Sequence, residues 1–165
     1  MDHVDAVRSF AKTLNNLEQW MQKAADHAKA RSFEVDVLAQ ARLAPDQFDF
    51  TRQVQSACDA AKGAVARLAG VEIPKHEDTE QTLAELKARI AKTIDFIDSV
   101  KAGQIDGSED RPIVLKIRGQ EVKYTGMQYL LGFAHPNFYF HVTTAYDILR
   151  HNGVEVGKRD FIGNP

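Results

Sequence analysis

The groups able to do chemistry crowd into one stretch, His135 to Gly153, HPNFYFHVTTAYDILRHNG, where aromatic, imidazole and amide side chains share what reads as a single helix. At helical spacing, Asn137, His141, Ala145 and Ile148 fall on one stripe, with Phe138, Val142 and Leu149 beside them. The imidazole of His141 is therefore expected to face inward. A neutral imidazole there can act as a metal ligand or a general base. It can also be a core residue whose ring nitrogens bond Asn137 one turn back, or a Thr or Tyr hydroxyl on a neighbouring helix. Buried polar groups usually end in that last state.

A transition-metal site in a helical bundle needs three or four imidazoles or carboxylates converging from several helices. The six histidines are His3, His27, His76, His135, His141 and His151, and none falls in the second expected helix. By helix geometry His151 lies about 80° around the axis from His141 and roughly 15 Å along it, so the two cannot share an ion. No metal and no cofactor is expected. Tyr146, with Tyr124, Tyr129, Tyr139, Phe133, Phe138 and Phe140, supplies aromatic surface suited either to a pocket wall or to the core. Cys58 sits beside an alanine-rich helical seam and reads as packed rather than reactive. Lys158 and Arg159 beside Gly157 have the charge to hold an anion but read as solvated surface. No glycine-rich phosphate loop, nucleophile elbow or paired-cysteine spacing occurs.

The elements that must carry these groups are helical. Val7, Phe10, Leu14, Leu17, Met21, Ala24 and Ala28 form a narrow heptad-like seam, with Trp20 beside it. A partly ordered connector runs from Arg31 to Asp49, with room for one short helix before Pro45. A second helix is expected from an N-cap at Thr51, along Val54, Ala57, Ala61, Ala64 and Leu68, to a stop at Gly70. A third should open on Asp78 with Gln81 as a capping box, follow Leu83, Leu86, Ile90, Ile94, Ile97 and Val100, and end at Gly103. It should pack antiparallel to the second. From Ile113 the period changes to two, and Gly119 punctuates a small hairpin ending near Tyr124 that should lie against the bundle. A short helix over Thr125 to Ala134 is expected to stop at His135, because Pro136 disfavours helical geometry before it. The last helix then spans about Asn137 to Asn152, and the tail folds back over the bundle.

The chain has 165 residues, 44% hydrophobic and 27% charged, which suits one domain spanning 1–165 with a substantial core. Its 21 basic and 23 acidic residues are interspersed and give a net charge of -2, so no basic face is available for nucleic acid or anionic membrane. A single cysteine excludes an intrachain disulfide and fits a reducing, cytoplasmic setting. No apolar run is long enough to span a bilayer.

The C-terminal motif FAHPNFYFHVTTAYDILRHNGVEVGKRDFIG, together with ARLAPDQF and QVQSACDAAKGAVARLAGVEIP, resembles a domain-of-unknown-function family among the DinB-like metalloenzymes. The likeness covers nearly the whole chain. It implies an all-α fold, a DinB-like four-helix bundle with one long crossover, often a homodimer; the small β-hairpin read from the residues falls between the third and last helices. Active members of that wider group are metal-dependent, including thiol transferases and isomerases. They use one histidine from the second helix and two, four apart, on the last. Here His141 matches the later of the pair, Asn137 stands at the earlier, and Gln53 to Cys58 on the second helix offers no imidazole. Asparagine is a poor ligand for zinc or nickel, so the resemblance carries the fold and not the catalytic centre. The expected function is non-catalytic binding of a small molecule or partner near Asn137, His141, Tyr146 and Cys58, without metal. Two other readings stay open. One is a metal-dependent transferase or hydrolase using His141 with help from Cys58 or Asn137; the other is a purely structural interaction protein.

Overall fold

Four long helices carry the core. The structure is a computed structural model that describes residues 3–164. Helix α1 is His3–Ala30, α2 is Phe50–Ala69, α3 is Leu83–Ser99 and α6 is His135–His151. Between them lie a 3-10 turn at Val35–Gln40, the short helix α4 (Ala102–Ile105), strands β1 (Ile113–Ile117) and β2 (Gln120–Tyr124), and the short helix α5 (Gly126–Tyr129). A π-helical turn, Leu130–Ala134, leads into α6, and α7 (Lys158–Ile162) closes the chain. The architecture is all-α apart from the hairpin, as the resemblance implies.

Helix α2 occupies the centre, packed against α6 on one side and α3 on the other. Its fully buried Ala57, Ala61 and Ala64 present little bulk, which allows neighbouring backbones to approach closely. Val54, Leu68 and the fully buried Phe50 fill the seam around them. The helix starts on Asp49, whose side chain accepts from the Arg52 amide at 2.9 Å; Thr51, the expected cap, instead donates to the Ala39 carbonyl at 3.1 Å. It stops at Gly70, whose φ of 68° is the left-handed geometry that glycine adopts without penalty.

Helix α3 opens later than the Asp78–Gln81 spacing suggests. Thr82 and Glu85 form the capping box, and Asp78 is drawn away by ion pairs to Arg89 and Arg52. Helix α3 also ends at Ser99 rather than Gly103, which lies inside α4. The hairpin pairs Ile113 with Tyr124 and Ile117 with Gln120, around Arg118 and Gly119 with φ of 50° and 82°. Two consecutive positive φ values match the right-handed twist of the strands. Its buried Ile113 and Leu115 join the core, so the hairpin lies against the bundle.

The stop expected at His135 does not occur. His135 is helical, with φ of -61° and ψ of -52°, and its amide bonds the Leu130 carbonyl five residues back. The π turn widens the helix just ahead of Pro136, so the ring that would clash in an ordinary α turn is accommodated in the first turn of α6. Trp20, expected at the margin of the seam, is fully buried because the tail covers it: its indole nitrogen donates to the Asp160 carbonyl at 3.0 Å, and its ring stacks on Phe161. No helix among the described residues is long and apolar enough to cross a membrane.

Candidate functional site

Helices α2 and α6 together position His141. The stripe on α6 faces α2, and the fully buried Gln53 meets it there: the Gln53 Oε1 lies 2.8 Å from His141 Nδ1. Gln53 Nε2 donates to the Phe48 carbonyl at 3.2 Å, which orients the amide with its oxygen toward the ring. Nδ1 therefore carries the proton and donates, leaving Nε2 as the acceptor nitrogen. The partner is neither Asn137 nor a hydroxyl, the two expected from sequence. Burial, and secondarily the positive charge of Arg52, lower the His141 pKa from its ordinary 6.5, so the ring is neutral at pH 7. Exposed Phe48 lies nearly parallel to the imidazole with centroids 6.5 Å apart, and exposed Phe140 meets it edge-on at 5.3 Å.

Asn137 and His141 line one surface cavity of about 290 Å³, whose opposite wall is Ser56, Asp59 and Arg67 from α2, with Tyr129 and Phe133 closing one end. Cys58 and Tyr146 lie elsewhere. Cys58 is fully buried in the core, where burial pushes its thiol up to about 12, so it is not a thiolate at neutral pH. Tyr146 packs against Trp20 and Phe161, and its hydroxyl donates to the Val156 carbonyl at 3.3 Å. Lys158 and Arg159 are exposed, and His135 is turned toward α1, with Nε2 3.3 Å from the Ala6 carbonyl.

The second wall of the cavity is braced by charge. Arg89, its side chain 1% exposed, bonds Asp59 at 2.9 Å, Asp78 at 2.9 Å and Glu80 at 3.2 Å. Lys62 adds a second cation on the same Asp59 oxygen at 3.0 Å. The cluster ties the segment before α3 to both α2 and α3. Burial opposes ionisation of Glu80, but hydrogen bonds from Gln55 and Arg89 outweigh it and hold the carboxyl below its ordinary range.

The metal centre of the wider DinB-like group does not fit these donors. Around His141 stand the amides of Gln53 and Asn137, the hydroxyl of Ser56, and a carboxylate already shared by two cations. Among the described residues no group of three or more His, Cys, Asp or Glu side chains could hold an ion.

Tyr129 and Phe133, named from sequence as aromatics suited to a pocket wall or the core, do line the cavity, whereas the roles of Gln53, Asp59 and Arg67 escape a sequence reading because each acts across helices. One local signal was available for Arg67: Gly63, one turn earlier, is a glycine in a helix interior, which costs about 1 kcal/mol against alanine and implies a spatial reason. An alanine Cβ at Gly63 would lie 2.5 Å from Arg67 Nη1, so the bare backbone is where the guanidinium rests.

A crystal structure of a DinB family member protein from Shewanella denitrificans, solved at 1.83 Å, is 45% identical to this chain, with a TM-score of 0.92 over 98% of this chain and 92% of that one. No curated protein matches. The domain of unknown function DUF1993 matches residues 3–162. With that match spanning nearly every helix and the fold so close to a DinB family member, the chain belongs to the DUF1993 family of domains, a relative of the DinB-like bundles.

Proposed function

We propose that this protein is a non-catalytic binding protein that takes a small molecule into the cavity beside Asn137 and His141, without a metal. The observation that carries the reading is the bond from His141 Nδ1 to Gln53 Oε1 at 2.8 Å. An amide fixes the tautomer and orientation of the ring but, unlike a carboxylate, does not strengthen it as a base or stabilise its protonated form. The cavity also lacks an activated nucleophile: Cys58 is remote and protonated, and burial raises the Tyr129 pKa despite the opposing charge of Arg67. What remains is a neutral imidazole, an amide, a hydroxyl and the charged side chains of Asp59 and Arg67 beside the rings of Tyr129 and Phe133, the composition of a recognition site.

We further propose a homodimer, as the resemblance to DinB-like bundles implies, and a cytoplasmic setting, which a lone buried cysteine fits. The test uses protein purified without a histidine tag. A fragment set screened by NMR should shift the His141 and Asn137 resonances, and His141→Ala should abolish the response while the fold persists. Stoichiometric zinc, nickel or manganese in that preparation, lost on His141→Ala, overturns the proposal in favour of a metalloenzyme.

A further inference from the structure

Among the described residues, the cavity holds one cation, Arg67, that has no ion-paired counter-charge. Arg89 and Lys62, behind the Asp59 wall, are both ion-paired. Arg67 is half-buried on the same wall and has no ion-pair partner among the described residues. Its guanidinium offers five N–H donors in a planar fork. The contacts the protein makes to it are a bond from Nη1 to the Tyr129 hydroxyl at 3.1 Å and the face of the Tyr129 ring at 5.7 Å. Asp59 does not serve as its counter-ion, since Lys62 and Arg89 already share that carboxylate.

We propose that Arg67 is the anion-recognising residue of this cavity and that the ligand is a small organic carboxylate. The inference rests on the cavity being a small-molecule site. A planar guanidinium matches a carboxylate in bidentate geometry, and Phe133 with Ala134 gives the rest of the ligand an apolar wall. The neutral His141 and the Asn137 amide add uncharged polar partners that place no second cation opposite Arg67, which favours a monoanion over a phosphate. Gly63 is a positioning residue: without a Cβ it lets the guanidinium lie close over α2, held by Tyr129.

NMR titration with matched acid and amide pairs, acetate with acetamide and benzoate with benzamide, and with inorganic phosphate, tests this. At least one acid should bind about tenfold more tightly than its amide, as expected for a hydrogen bond to a charged group. Arg67→Met should remove that advantage, bringing the affinities of acid and amide together. Gly63→Ala keeps the charge but displaces it, so it should weaken acid binding while thermal stability holds or rises; a purely structural glycine would not separate the two. Equal binding of acids and amides, or phosphate binding more tightly than every acid, overturns the proposal. If acids and amides bind equally and His141→Ala abolishes both, the small-molecule site stands and only the carboxylate assignment falls. If no probe shifts His141 or Asn137, both fall.

Discussion

His141 takes its tautomer from Gln53 and its charge state from burial. Burial lowers its pKa below 6.5, and the charge of Arg52 acts in the same direction. The unfolded chain therefore takes up a proton near pH 6.5 while the folded chain resists until lower pH. For a depressed pKa, the contribution to stability is fully present above the unfolded value and is lost as pH falls through the folded one. Urea denaturation at pH 7.5 and pH 5 should show a smaller loss for His141→Gln than for the parent chain. His76, whose pKa burial and the nearby Lys62 also lower, is common to both proteins and cancels in the comparison. Equal losses would show that His141 is not the titrating group. The inward turn of this imidazole is readable from the spacing of Asn137, His141, Ala145 and Ile148, because helical phase is local. Its partner Gln53 is not, being 88 residues away on a helix whose rotation no local pattern encodes.

At the scale of elements, glycines mark where segments touch. Gly126 starts α5 directly beneath the loop after α4, and a Cβ there would collide with the Ser108 carbonyl oxygen. Backbone meets backbone at that point, so neither side can yield as a flexible side chain would. Gly126→Ala should destabilise by about 2–3 kcal/mol, the upper part of the range for overpacking, measured by urea denaturation. Gly103 is the control: a Cβ would meet nothing within 4 Å, and Gly103→Ala should leave stability unchanged or raise it by a few tenths of a kcal/mol. The elements also show where local signals mislead. Asp78 and Gln81 have capping-box spacing, but Arg89 claims Asp78, and Thr82 with Glu85 starts the helix. Pro136 reads as a break, yet the π turn before it keeps the chain helical, and the extra residue in that turn sets which face α6 presents to α2.

At the scale of the whole molecule, the tail acts as a clasp on α1. Trp20 bonds the Asp160 carbonyl, Asn16 bonds the Phe161 carbonyl at 3.0 Å, and Lys23 pairs with Asp160 at 2.7 Å. Truncation after Gly157 should red-shift Trp20 fluorescence and cost about 2–4 kcal/mol, the sum expected for exposing one large aromatic contact and losing a hydrogen bond. An unchanged emission maximum would show that the clasp does not seal the indole. What the sequence by itself determined is the set of long helices, the hairpin, the fold-back of the tail and the resemblance to DinB-like bundles. These follow from apolar period, the left-handed stop at Gly70 and an extended motif, all properties of contiguous chain. Only the tertiary structure decided that Gln53 holds His141, that Arg67 reaches Tyr129, and that Cys58 and Tyr146 stand apart from the cavity. The physical reason is that a side chain's neighbour across a bundle depends on how two helices are rotated about their axes, and that rotation is set by the packing of the entire core.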